Sequence, residues 1–282
     1  MAVVEIVRSF AVASFQNATV VLNLGTGTLF QLEAESAPTV LDIARDMPSA
    51  EIEERMALLR KIPRYVARER VRALQLQLAS PFTLASSPRL GQTSFIDITG
   101  RVNIGQAPGV LRPGEALQWS GAAVRSQEGI MFIGGPPQSG KSLLCEALAA
   151  RGCEILSDGT VQVPIQRASE KAAEGGKASP DSVNKIGVSW AQAWFIEPQS
   201  RAGMGIILAR RSPVFTMTQL LTHTKSSHAR GAWVEIFKMV ALLAEDLPAF
   251  RVTLPQGTDA VHAAVADFAG ASFRAQAPGV PS

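Results

Sequence analysis

Between Val3 and Leu32 short apolar runs are broken by small and polar residues, a pattern that predicts β-structure. Ala18–Leu24 and Thr28–Leu32 flank Gly25-Thr26-Gly27, which predicts a hairpin. The Gly-x-Gly in that turn lacks the third glycine and the helix of a dinucleotide-binding loop. After Pro38 the period becomes helical. Val40, Leu41 and Ile43 mark a short helix over Thr39–Asp46. Ser49 is placed to cap a second helix, whose first turn carries Glu51, Glu53 and Glu54 as the helix dipole favours. Pro63 interrupts it, and a third helix is expected from Arg64 to Leu78.

Ser80–Gly114 is rich in Gly and Pro and predicts short strands, Ser94–Ile98 and Val102–Ile104, at the seam between two regions. Leu117–Val124 and Gly129–Ile133 then read as two apolar strands separated by the polar turn Arg125–Glu128. A helix over Lys141–Arg151 places Leu144, Ala147 and Leu148 on one face and stops at Gly152. Ile155-Leu156 reads as a buried strand ending on Ser157-Asp158-Gly159. Pro164–Asn184 is polar and without period: a surface loop of the kind that supplies a lid or clamp, or a disordered one. Strands at Trp194–Glu197, Gly205–Leu208 and Phe250–Leu254 alternate with helices at Met217–Thr222, Trp233–Glu245 and Asp259–Phe268, and the tail from Gly270 reads as disordered.

The chemistry concentrates where an apolar strand meets a glycine-bounded loop. Gly135-Pro136-Pro137-Gln138-Ser139-Gly140-Lys141-Ser142 fits G-x-x-x-x-G-K-[ST] in full and precedes a helix, the context that the motif requires. Successive backbone N–H groups of such a loop turn inward around an anion, and the helix N-terminus adds its orphan donors. Lys141 can reach terminal phosphates as a point charge and the Ser142 hydroxyl can ligate Mg²⁺. The candidate nucleotide-binding residues therefore run from Gly135 through Leu143. Asp158, closing the next strand, is the expected partner: a metal ligand, or a base for an attacking hydroxyl.

Composition narrows the classes. In 282 residues, 46% hydrophobic and 18% charged side chains are ordinary for a globular protein, enough for one substantial core or a main domain with a companion. A net charge of +3 and a single Tyr with four Trp give no reason to expect nucleic acid. Arg60, Lys61, Arg64, Arg68, Arg70 and Arg72 make one helical segment locally basic, as a solvated face or as a contact for an acidic peptide or phosphate. Cys145 and Cys153 are too few for a four-ligand zinc site and read as buried structural thiols. No basic segment followed by an apolar core opens the chain and no run approaches a membrane span, so a cytoplasmic protein is expected.

The stretch GGPPQSGKSLLCEALAARGCEILSDG resembles the catalytic core of the HPr kinase/phosphorylase superfamily, in particular its smaller HPr-kinase-related members. The matching elements are Gly140-Lys141-Ser142, Arg151-Gly152 and Ser157-Asp158, with a looser likeness over Leu117–Phe268. The resemblance implies a nucleotide- and Mg²⁺-dependent kinase that phosphorylates a serine, usually of a protein or peptide, and it admits a homo-oligomer; ATP is the expected nucleotide, with no base-recognition motif to separate it from GTP. It also implies a P-loop α/β core with a mixed sheet, of the type shared with phosphoenolpyruvate carboxykinases. Lys141 and Ser142 would serve phosphates and metal, and Asp158 the acceptor hydroxyl or the metal. Two positions depart from the family. Where it carries a His on the strand before the loop strand, this chain has Ser120, or Gln118 with a small gap, and Gly159 stands in place of the second acid. His223, His228 and His262 lie elsewhere, the last on the closing helix, where a structural role is expected.

The chain is thus expected to form a small α+β region over 1–85, a kinase-like domain over 86–270 and a tail over 271–282. The N-terminal hairpin with its short helices is similar to peptide-recognition domains of systems that modify ribosomal peptides, which implies a leader peptide or small carrier as acceptor. Two further readings stand beside the protein kinase: a nucleotide-binding switch or scaffold subunit with little transfer activity, and a kinase for a small metabolite such as free serine.

Overall fold

The computed structural model describes residues 2–79, 96–102, 104–105, 111, 116–166, 185–197, 205–225 and 228–270. In chain order the elements are β1 (Val3–Val7), β2 (Phe10–Ser14), β3 (Ala18–Asn23), β4 (Thr28–Glu33), α1 (Ala37–Ala44), α2 (Ser49–Arg60), α3 (Arg64–Ala79), β5 (Ile96–Arg101) and β6 (Ile104–Gly105). They continue with β7 (Ala116–Ser120), β8 (Ala122–Ser126), β9 (Gly129–Gly134), α4 (Lys141–Ala149), β10 (Glu154–Ser157), β11 (Thr160–Gln166), β12 (Lys185–Ile186), β13 (Trp190–Ile196) and β14 (Ile207–Arg211). The last are α5 (Pro213–His223), β15 (His228–Ala229), α6 (Arg230–Asp246), β16 (Ala249–Thr253) and α7 (Thr258–Gly270). This is an α/β fold with a mixed sheet.

By contact the chain groups into two compact units, each discontinuous in sequence. The first comprises Met1–Leu117, Pro164–Ile186 and Pro213–Asp246, the second Gln118–Val163, Gly187–Ser212 and Leu247–Ser282.

The first unit is built on a five-stranded antiparallel sheet in sequence order, β1-β2-β3-β4-β5. The expected hairpin is there, with Leu22 opposite Leu29. Its turn is held by the Asn23 side chain, whose Oδ1 accepts from the Gly25 N–H at 2.8 Å. One face of the sheet, through Val12, Val21, Phe30 and Leu32, packs on Val40, Ile52, Met56, Val71 and Leu74 of α1, α2 and α3. Helices α5 and α6 lie on strands β2, β3 and β5. Inside the first core, the buried Asp42 carboxylate accepts from Arg55 Nη1 at 2.9 and 3.1 Å, as a buried charge requires.

Helix α2 begins one residue earlier than a Ser49 cap would place it. Pro48 is the N-cap, no side chain caps the helix, and Ser49 Oγ instead accepts from Gln75 Nε2 of α3 at 3.0 Å. Lys61, left-handed at φ 51°, closes α2 before Pro63. The basic segment is a largely solvated face tied by ion pairs, Arg68 to Glu53 and Arg60 to Glu35.

The second unit carries a six-stranded sheet in the order β10-β8-β9-β13-β16-β14. Strand β8 is antiparallel to both β9 and β10, while β13 is parallel to β9 and to β16. Hence β9, β10, β13 and β16 all point one way and end at one end of the sheet. Helices α4 and α7 cover one face through Leu144, Leu148, Val261 and Val265 against Met131, Ile133, Trp194 and Val252. Trp119, Phe132, Trp190 and Phe195 form a second cluster, with ring centroids 5.3–6.1 Å apart.

Several expectations need correction. The run Leu117–Val124 is two strands, not one, because the chain breaks at Gly121. A Cβ there would lie 2.6 Å from the Ile133 carbonyl oxygen and 2.7 Å from the Phe132 ring. The Ile155-Leu156 strand exists but is not buried: those side chains are 40% and 38% exposed. Strand β10 ends the sheet among the described residues, and a bulge leaves Leu156 without a partner on β8. Cys145 is buried, whereas Cys153 is only half-buried. The helix expected at Met217–Thr222 extends over Pro213–His223. Residues 167–184 of the polar loop, the tail after 270 and most of Ser80–Gly114 lie outside the described residues. No helix among the described residues is long and apolar enough to cross a membrane.

Candidate functional site

Strand β9 buries its second half on both faces, which fixes the point where the Gly135–Gly140 loop leaves the sheet. Only glycine fits position 135, since a Cβ would stand 2.7 Å from Ser139 Oγ and 2.9 Å from the Ile196 carbonyl oxygen. The loop closes with a Ser139 N–H to Pro136 carbonyl bond of 3.3 Å. Gln138 takes the left-handed region at φ 61° and Gly140, the N-cap of α4, takes it at φ 92°. A left-handed residue that is not glycine costs about 1–2 kcal/mol, strain that tends to collect at functional loops.

Lys141 folds back over this loop, its Nζ donating to the carbonyls of Gly135 at 2.9 Å and Pro136 at 2.7 Å. Pro136, Pro137, Gln138 and Ser142 are exposed, and the Leu143 side chain turns inward onto the core. This stretch of the loop and Ser142 therefore face solvent, while Leu143 anchors the first turn. The Ser139 hydroxyl oxygen is buried and has no hydrogen-bond partner.

Asp158 is exposed and follows β10 directly, with Gly159 turning the chain at φ 90°. Because β10 and β9 run parallel, Asp158 and Gly135 leave the same end of the sheet. The electrostatics tie the two segments together at Cys145, one turn along α4 from Lys141. Burial pushes its thiol up from 9.0 to about 12; Asp158 and then Glu146 push the same way, and Lys141 pulls it back. One thiol therefore feels both the lysine of the loop and the acid of the strand end.

Ser120 ends β7 half-buried, and the next residue, Gly121, donates its N–H to the Gly159 carbonyl at 3.4 Å. Position 120 thus lies beside the Asp158-Gly159 turn, while Gln118 is exposed farther back on β7. His223 and His262 belong to α5 and α7, away from this turn in the chain.

Sequence reasoning missed two groups. The Ser157 hydroxyl oxygen, next to Asp158, is buried without a partner. Glu197 follows β13, the strand directly beside β9, and pairs with Arg251 of β16. The available signal was slight: an acid closing an apolar run, as Asp158 does.

Chemically, the arrangement offers a glycine-cradled anion site at a helix N-terminus, one ammonium, one hydroxyl and one strand-end carboxylate. These hard oxygen donors fit Mg²⁺ with a nucleoside triphosphate. Mg²⁺ takes one or two carboxylates together with phosphates and water, and needs no all-protein cage. No group of three or more His, Cys, Asp or Glu able to hold a metal occurs among the described residues. Set against known proteins, the chain matches no protein-family model, no curated protein and no solved structure.

Proposed function

We propose that this chain binds ATP with Mg²⁺ along Gly135–Leu143 and transfers the γ-phosphate to a serine hydroxyl of a protein or peptide. Its second unit would then be a P-loop core of the HPr-kinase and phosphoenolpyruvate-carboxykinase type. The observation that carries this reading is the convergence of the complete glycine loop, Lys141 and Asp158 at the carboxyl end of parallel strands, where open α/β sheets bind ligands.

Loop N–H groups would hold the phosphate chain and Lys141 would leave its two carbonyls to neutralise developing charge. Ser142 and Asp158 would hold the cation, which when bound supplies charge neutralisation between the phosphates. Asp158 is also the group able to accept the acceptor's proton as its oxygen bonds to γ-phosphorus and the bond to the departing ADP breaks. Cytoplasmic residence and a protein or peptide acceptor belong to the same proposal.

A second reading, a nucleotide-dependent switch or scaffold, has its own observation. Ser120 beside Asp158 is no proton acceptor near neutral pH and Gly159 supplies no second acid.

The experiment is Mg²⁺-ATP binding with a parallel turnover assay on serine peptides, wild type against Asp158→Asn. Retained binding with turnover lowered at least about 100-fold is expected for the kinase. Tight binding with no turnover in either protein would favour the switch, and no binding would sink both readings.

A further inference from the structure

We propose that the end of the α2–α3 hairpin is a docking tip for an anionic lipid surface. Leu58 and Leu59 enter the headgroup layer, and the lysine and arginines around them pair with lipid anions. All of these residues belong to the first unit, so the proposal stands or falls apart from the nucleotide reading.

Helix α2 carries apolar side chains where its core does not reach. Ile52, Met56 and Leu59 share one stripe, at the i, i+4, i+7 spacing. The first two are 1% and 3% exposed, yet Leu59 is 63% exposed. The hairpin therefore runs past the core it packs on, and Leu58, on the outer side, is 78% exposed. This end is not frayed. Lys61 takes the left-handed cap, the Ile62 N–H returns to the Ala57 carbonyl at 3.1 Å, and the Ile62 side chain packs on the core. The Val66 and Ala67 N–H groups then donate to the Pro63 carbonyl at 3.0 and 3.1 Å and start α3. Tyr65, in that first turn, is 70% exposed. Three large side chains are thus held outward by a turn fixed through its own hydrogen bonds.

Charge decides what can cover them. From Leu58 to Arg72 there are six cations and one acid, Glu69. Lys61, Arg64, Arg68 and Arg72 are exposed. Glu51 and Glu54 lie at the other end of the hairpin, where the Ser49–Gln75 bond joins the start of α2 to the end of α3. The tip is therefore basic and the base acidic. A second copy of the chain on the same tip would bring like charges together across a two-fold axis. An anionic lipid surface suits both the charge and the shape. It attracts Lys and Arg close to the headgroups. Their apolar stems and the Tyr65 ring sit at such an interface. Projecting leucines enter it without needing a shaped pocket. No helix among the described residues can cross a membrane, so the chain would lie on the surface through this turn.

The test is co-sedimentation of the full chain with vesicles of phosphatidylcholine alone and of phosphatidylcholine with about one-quarter phosphatidylserine, at stepped NaCl. Wild type should bind the anionic vesicles at least about tenfold more tightly, and less so as salt rises. Leu58→Ser/Leu59→Ser should weaken that binding about tenfold with the melting temperature unchanged, because both side chains are already exposed. Arg64→Glu should weaken it about tenfold as well. Arg210→Glu, which reverses an exposed cation of β14, should leave it unchanged. Equal losses in Arg64→Glu and Arg210→Glu would show diffuse adsorption and overturn the proposal. Equal binding to both vesicles, binding that ignores the leucines, or no binding by wild type overturns it too. If gel filtration shows a dimer that Leu58→Ser/Leu59→Ser abolishes, and vesicles are not bound, the tip is a contact between copies. Leucine-dependent binding to polyglutamate with none to vesicles assigns it instead to an acidic protein. Both of these results replace the lipid surface as occupant. No nucleotide is present in the assay, so failure here leaves the nucleotide reading untouched.

Discussion

The five-stranded sheet of the first unit and the six-stranded sheet of the second are made by opposite routes. In the first, every strand pairs with its neighbour in sequence and every pairing is antiparallel. Turn chemistry is then enough for its first four strands, with Asn23 organising the β3–β4 hairpin, while β5 joins β4 only after three helices. In the second, β9 pairs in parallel with β13, and β13 with β16, across long stretches of chain. Such pairing cannot be made by a tight turn. It gathers the carboxyl ends of four strands at one end, and that is where Gly135, Asp158 and Glu197 leave the sheet. A meander builds a scaffold; parallel pairing builds a place where residues distant in sequence meet.

That contrast can be broken at its glycines. The largest effect is expected at Gly27, which closes the β3–β4 turn at φ 72°. A Cβ there would stand 2.1 Å from the Val102 backbone oxygen, and the Gly27 carbonyl also accepts from the Val102 N–H at 2.8 Å. Gly27→Ala combines left-handed strain with a clash against backbone and should cost about 3–5 kcal/mol. Gly152, left-handed at φ 88° three residues past the end of α4, has nothing within 4 Å of the same virtual atom. Gly152→Ala should therefore cost only about 1 kcal/mol, from conformation alone. Urea unfolding of both variants, with amide exchange read on β3 and on α4, measures the difference. Equal costs would mean that the turn relaxes and that turn chemistry does not hold the first sheet.

What the sequence shows follows the same division. The Ala18–Leu24 and Thr28–Leu32 hairpin, the helices around Pro63 and the glycine loop were legible because each is written in consecutive residues. The split of Leu117–Val124 at Gly121 was not, since it depends on Phe132 and Ile133 crossing that point. Nor was the exposure of Ile155 and Leu156, because a strand does not announce whether another strand lies beyond it. Glu197 was invisible for the same reason: its closeness to Gly135 exists only through the β9–β13 register. Asp158 could be singled out because one helix and one strand separate it from the loop.

Cys145 offers a smaller test, confined to the second unit and to alkaline solution. Its folded thiol titrates at about 12, above the 9.0 of an unfolded cysteine. The group's contribution to stability is therefore fully present below pH 9 and is lost as pH rises from 9 through about 12. In that window the folded state holds a proton that the unfolded chain has released, so unfolding free energy falls with pH. Cys145→Ala should flatten this part of the stability curve relative to wild type, measured by denaturant unfolding at stepped pH. Asp158→Asn removes one of the charges that raise the thiol and should flatten it partly. A slope unchanged in Asp158→Asn would show that the strand-end acid and the loop helix are not electrostatically joined.

The smallest effect is expected at Ser49, where a sequence pattern and the structure assign different work to one hydroxyl. As an N-cap it would satisfy backbone donors of α2, and its loss would cost about 1 kcal/mol. In the structure it is already helical and accepts only from Gln75 Nε2, beside exposed surface. A surface hydrogen bond of that kind leaves both partners free to bind water when it is broken. Ser49→Ala should then change unfolding free energy by less than about 0.5 kcal/mol, with Gln75→Ala equally mild. A cost near 1 kcal/mol in Ser49→Ala alone would restore the capping role. It would also mean that in the first unit even a helix start is set by its own consecutive residues and not by its neighbour.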